Sequence, residues 1–286
     1  MRTILMTLIG SLAAVASAGQ QTPWDNVIVP QLITETSTLW FESPELPNAG
    51  VPCMSRGPSG EIVQMFQWFP DGDGELDFIA RRVSYDDGRT WSGIQAVQWT
   101  GGPKVHSRQA DPSLVLLGDG SWRLYFTCHV DKDVYPATWS AISGDGLNFT
   151  WEDGKRMELA DAGLLDPSVT YFDEFYHFYA PRPGKGDGAI YATSPNGLDF
   201  TRQSDVVVKG STDTKFLGNP MVSYGSMYFF GTLEPKTSWA GVFCAKSSNG
   251  VDWTVLWTKS GTLADPAAIE TPSGTLVFIT SLQGPG

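Results

Sequence analysis

Ser84-Tyr85-Asp86-Asp87-Gly88-Arg89-Thr90-Trp91 decides how this chain is read, because the same turn returns three more times. The copies are Ser143-Gly144-Asp145-Gly146-Leu147-Asn148-Phe149, Ser194-Pro195-Asn196-Gly197-Leu198-Asp199-Phe200 and Ser247-Ser248-Asn249-Gly250-Val251-Asp252-Trp253. Their serines stand 59, 51 and 53 residues apart. Each copy carries Ser, then Asp or Asn, then Gly, then an aromatic. Asp or Asn accepts hydrogen bonds from amides of its own turn, and Gly supplies the positive φ of a tight hairpin. The aromatic anchors the hairpin in apolar packing. These residues belong to architecture and are assigned no chemistry.

A second element alternates with the turns. The steps Val51-Pro52, Asp111-Pro112, Asp166-Pro167, Asn219-Pro220 and Asp265-Pro266 are spaced by 60, 55, 53 and 46 residues. After each comes a strand-like run, a short turn and a second apolar run, as at 113–117 and 122–127. β-Branched and aromatic residues dominate these runs, and helical periodicity is lacking beyond the first residues. Each unit therefore reads as a four-stranded antiparallel meander of some 50 residues, the period of a propeller blade. The fold expected is all-β, a five-bladed β-propeller. The fifth unit lacks its outer strands, so 27–40 is expected to pair there, closing the ring with an N-terminal strand and removing an exposed edge.

Residues 1–18 read as a secretory signal peptide. Arg2 is followed by a short apolar stretch and by Ala16-Ser17-Ala18, an A-x-A-like cleavage site. Residues 19–286 then form a single domain, expected outside the cell, or in the periplasm of a bacterium. The stretch is too short to span a bilayer comfortably. The net charge of −12 repels nucleic acid and anionic membranes, and neither is expected as a partner. A monomer is expected. Cys53, Cys128 and Cys244 sit in apolar surroundings and read as buried thiols with no zinc-type spacing. No metal is assigned. Asp71-Gly72-Asp73-Gly74-Glu75 offers oxygens between glycines and leaves calcium open, but it lacks the EF-hand pattern and reads first as a solvated acidic loop.

The meander fixes which face carries chemistry. If the inner strand starts at the X-Pro step, the loops between second and third strands return to that face. The Ser-Asp-Gly turns lie on the opposite one. The X-Pro steps then ring the central channel with Val51, Asp111, Asp166, Asn219 and Asp265. Carboxylates crowded into a narrow funnel shift one another's pKa values apart, which gives one site both an acid and a base. Asp-Pro is also a common turn opener. The same face collects Lys104, His106, Arg108, His129, Arg182, Lys215 and Glu234, a polar funnel suited to a hydroxylated or anionic ligand. Trp68 is placed to stack on a sugar ring, or to pack.

Ser84 to Trp91 resembles the Asp-box, S-x-D-x-G-x-T-W, of sialidases and related propellers, and the other three turns resemble degenerate copies. Asp-boxes mark a fold rather than a chemistry. The arginine triad and Tyr–Glu pair of a sialidase are not identified in this sequence. The Asp-Pro steps resemble those of five-bladed glycoside hydrolases of the arabinanase and β-xylosidase type, family 43, and of the levansucrase and invertase type. By that resemblance Arg108-Gln109-Ala110-Asp111-Pro112 is similar to the general-base motif. Leu164-Leu165-Asp166-Pro167-Ser168 is similar to the motif that tunes the acid. The resemblance implies Glu-Gly-Pro in blade four, where this chain has Gly218-Asn219-Pro220. The acid would then be Glu234 or Asp265. Two functions stay open: a glycosidase acting on a glycan in the funnel through Asp111, Asp166, Asp265 and Glu234, with His106, Arg108, His129, Arg182, Asn219 and Trp68 as substrate contacts, or a non-catalytic propeller that binds carbohydrate or protein.

Overall fold

The computed structural model describes residues 26–33, 38–40, 43–70, 78–234 and 239–282. The signal peptide read at 1–18 and the acidic calcium candidate at 71–75 lie outside the described residues. All regular structure among the described residues is β, in five sheets. No helix there is long and apolar enough to cross a membrane.

Each sheet is a blade. Blade one runs Ala49–Arg56, Ile62–Trp68, Phe78–Ser84, Gln95–Ala96 from the channel outward. Blade two runs Ala110–Leu116, Trp122–Cys128, Ala137–Ser143, Asn148–Trp151, with Gln98–Thr100 added in parallel at its outer edge. Blade three is Ser168–Phe172, Phe175–Pro181, Ala189–Ser194, Thr201–Arg202, and blade four is Thr214–Ser223, Ser226–Leu233, Gly241–Ser247, Thr254–Ser260. Blade five joins Leu263–Thr271 and Gly274–Leu282 to Asn26–Ile33 and Thr38–Trp40. The ring is therefore closed by N-terminal sequence, in antiparallel register from Asn26 against Leu282 to Ile33 against Thr275.

Apolar residues on both faces of each blade make the core a set of wedges, one per blade interface. All three cysteines are buried free thiols inside these wedges.

The Ser-Asp-Gly turns have a purpose beyond reversing the chain. Within each, the Ser hydroxyl takes the Gly amide, and the Asp or Asn side chain takes amides two to four residues on. Each turn also covers the preceding blade. Tyr125 Oη donates to the Gly197 carbonyl at 2.8 Å, and Tyr179 Oη donates to that of Gly250 at 2.8 Å. Arg81 donates to the Asp145 carbonyl, and Trp91 sets its edge against Phe278 with ring centroids 5.6 Å apart. At Gly197 the backbone has φ +73°, and an added Cβ would lie 2.6 Å from Tyr125 Oη. Glycine is required there by conformation and by close approach together.

Candidate active site

The site begins with a local irregularity. In blades one, two and five the register of the inner strand with the second strand shifts at the X-Pro step, between Gly50 and Cys53, between Ala110 and Ser113, and between Ala264 and Ala267. The residue before Pro is left-handed there and in blade three: Val51 at φ 50°, Asp111 at 53°, Asp166 at 54° and Asp265 at 45°. Such φ values are uncommon outside glycine, and for β-branched Val51 the value is an outlier. They turn these side chains inward. Strain repeated around a channel is the kind that clusters at functional sites.

Threonines from the second strands hold the bulges. Thr127 Oγ1 accepts the Asp166 amide at 3.2 Å, Thr232 Oγ1 accepts that of Asp265 at 3.0 Å, and Thr280 Oγ1 accepts that of Val51 at 3.1 Å. Each threonine thus fixes the ring residue of the next blade.

Blade four departs from the expected ring. Asn219 pairs with Phe230, two residues before Thr232. In blade two the residue paired two before Thr127 is Ser113, not Asp111. Asn219 is therefore the counterpart of Ser113, and its φ is not left-handed. The Asn-Pro step has slipped along the strand. The residue paired with Thr232 is Lys215, at the position where the other blades have Gly50, Ala110 and Ala264. Blade four has put a cation where its neighbours have small residues.

Asp111, Asp166, Asn219 and Asp265 line one cavity, with Val51, Pro112, Pro167 and Gly218. Its volume is about 10 Å³, room for a single water and far too small for a sugar ring. Asp111 and Asp166 are half-buried and Asp265 is 4% exposed. The Asp166 amide donates to Asp111 Oδ2 at 3.2 Å, and the two carboxyl groups also meet side chain to side chain. Burial raises the pKa of Asp111, against hydrogen bonds from Thr127 and from Asp166. Burial raises Asp166 well above the usual range, and the Asp111 and Asp265 charges push the same way. Burial and the Asp111 charge push Asp265 up to about 7. Its buried Oδ1 has no hydrogen-bond partner among the described residues. All three carboxyl groups are thus displaced toward their protonated forms.

Lys215 pulls both Asp166 and Asp265 back toward ionisation. Its Nζ is 2.5 Å from Glu234 Oε2, with side chains 19% and 15% exposed. Glu234 is thereby placed beside the aspartates, already paired. The Asn219 amide donates to the Pro52 carbonyl at 2.9 Å, tying blade four to blade one across the channel.

The remaining expected contacts stand on loops of the same face in separate groups. His106 and His129 meet edge to face at 5.0 Å, and His129 Nε2 pairs with the Asp133 carbonyl. Arg108 lies over the Phe78 ring at 5.0 Å, and Phe78 is tilted against Trp68 at 6.4 Å. Arg182 is held by Asp187, with Asp205 3.9 Å away. No group of metal-ligating side chains occurs among the described residues. Thr127, Thr232, Thr280 and the role of Lys215 were not read from the sequence. A threonine recurring at the end of three second strands was the available signal.

No family model matches the sequence, and no curated protein matches it. Solved structures do. The chain superposes on the GH32 β-fructofuranosidase BmSUC1 of Bombyx mori with a TM-score of 0.59 at 14% identity, covering 80% of this chain and 54% of that one. It thus spans just over half of that enzyme's length. A thermostable family-43 glycoside hydrolase gives a TM-score of 0.58 at 11% identity, covering 83% of this chain and 93% of that one. The native arabinanase Arb43A of Bacillus subtilis gives 0.53 at 12%, covering 80% and 92%. At such identities the likeness is one of fold, and the chain has the five-bladed β-propeller fold on which these glycoside hydrolases are built.

Proposed function

We propose that this protein is a secreted glycoside hydrolase-like propeller that meets a carbohydrate at the channel mouth. The observation that carries the reading is the cluster of three aspartates at strained, left-handed X-Pro steps around one channel, their carboxyl groups pushed toward protonation and flanked by a Lys–Glu pair. The fold neighbours named above, each a glycoside hydrolase, support it. Asp111 acts as base or nucleophile and Asp166 as the modulator that tunes the acid. Because these two touch, they are too close to flank a glycosidic bond, and the second carboxyl is Asp265 or Glu234. Of these two, Asp265, whose carboxyl group burial pushes up to about 7, is the better acid. Trp68, His106, Arg108, His129, Arg182 and Asn219 make the substrate contacts. Residues 1–18 direct export, the mature chain works as a monomer, and the four turns are Asp-boxes of the sialidase type.

The test is release of reducing sugar from arabinan, xylan and levan. Wild type should act on at least one, and Asp111→Asn and Asp265→Asn should each lose about 100-fold or more. An inert wild type, or variants with full activity, would overturn the reading. A second reading, a non-catalytic binder of carbohydrate or protein, is favoured by one observation. The two polar groups that blade four offers are both engaged, Glu234 by Lys215 and Asn219 by Pro52. Binding on a glycan array without turnover decides for it.

A further inference from the structure

On the face opposite the aspartates, four of the five blade interfaces are covered by the following blade's Ser-Asp-Gly turn. At the interface of blades four and five the described residues include no such turn. There they line a groove of about 720 Å³. Tyr228 and Phe230 line it, the counterparts of His177 and Tyr179, which the next blade's turn covers. The groove shares Met221 and Glu270 with a cavity of about 430 Å³ at this end of the channel. Together they make a trough running outward from the axis.

Its chemistry is mixed in a particular way. Half-buried Trp257 and Tyr228 offer ring surface. Glu270 offers a carboxylate whose contacts with Ser223 and Thr275 are long, at 3.4 and 3.3 Å. Ring surface beside hydroxyls and a carboxylate suits a ligand with C–H faces and a rim of hydroxyl groups.

Tyr224 supplies an independent observation. It occupies the first turn position of blade four's inner hairpin at φ 47°, and it is 89% exposed. Such turns call for Asn, Asp or Gly. The matching two-residue turn of blade three is Asp173-Glu174, opening on an acidic residue at φ 47°, and that of blade five is Pro272-Ser273. A bulky aromatic in a left-handed turn costs stability, and exposure recovers none of it. Its place at the rim of the groove gives it a use.

We propose that this trough is a second carbohydrate-binding site, separate from the aspartate channel, that takes a neutral polysaccharide chain with Tyr224 and Trp257 as stacking platforms. The inference does not depend on catalysis in the channel.

Native gels cast with soluble arabinan, xylan or levan test it on the whole protein. Wild type should be retarded by at least one polymer. Tyr224→Asn and Trp257→Ala should each weaken that retardation at least tenfold in apparent Kd. Tyr224→Asn suits the left-handed backbone, so its melting temperature should equal or exceed wild type, which separates lost binding from lost fold. Asp111→Asn should retain retardation whether or not it hydrolyses the polymer. Absence of retardation by all three polymers overturns the proposal. Unchanged retardation in both aromatic variants also overturns it, as does retardation that Asp111→Asn abolishes and Tyr224→Asn leaves intact.

Discussion

The backbone amide of Asp166 donates to the carboxylate of Asp111, Oδ2 at 3.2 Å, so two adjacent blades are joined through the residues that face the channel. One carboxylate is held by another residue's main chain while its own neighbour's carboxyl presses against it. That arrangement makes the titration of the pair a property of the ring and not of either residue.

Asp265 sets the first prediction. Its folded pKa is about 7 against an ordinary 3.8. Between those values the native state binds more protons than the unfolded one, so stability falls as pH rises through that window and levels above it. The whole effect is on the order of 4 kcal/mol. Asp265→Asn should flatten this slope and be more stable than wild type at pH 8. Urea midpoints measured across pH, at constant m, check it. A variant with the wild-type slope would show that Asp265 ionises normally.

The alkaline limb of activity follows from the same group. If protonated Asp265 delivers the proton, the rate on a cleaved glycan should fall as pH rises through about 7. The residual rate of Asp265→Asn should lack that limb. A pH–rate profile of both proteins is the measurement, and an identical limb in the variant would assign the proton elsewhere.

Lys215 and Glu234 are mostly buried and paired. Lys215→Met should leave Glu234 an uncompensated charge and push Asp166 and Asp265 further toward protonation. A loss of about 3 kcal/mol is expected. Adding Glu234→Gln should restore much of it. Chemical denaturation of both single variants and the double variant gives the coupling directly, and additive losses would mean that the pair is energetically idle.

Gly197→Ala should cost about 2–3 kcal/mol, because it combines a left-handed φ with a Cβ driven onto Tyr125 Oη. Gly118→Ala is the control, with open space around its Cβ and no left-handed φ, and should be nearly neutral. Equal thermal shifts for the two would count against the turn as a clamp between blades.

Blade count, ring closure and the face bearing the aspartates were legible in the sequence, since period and hydrogen-bonding demand leave few other solutions. Register was not. Gly218-Asn219-Pro220 has the composition of the other steps, and only the pairing of Asn219 with Phe230 shows that it has slipped. Lys215 was hidden by the same slip, because its significance lies in standing opposite Thr232. The clamp at Gly197 was invisible for another reason. It depends on Tyr125, 72 positions away, and a local pattern explains a glycine by its turn alone.

The pairing of Asn26–Ile33 with Gly274–Leu282 also dictates timing. During synthesis Asn26–Ile33 emerges long before its partner exists, and blade five cannot assemble until Gly274–Leu282 has been made. Four blades can form progressively, yet each interim species carries an unmatched edge at either end. Completion is therefore a single late event. A ribosome stalled after blade four would leave a molecule with most of its hydrogen bonds and none of its closure, and the ring is sealed by a strand made before blade one.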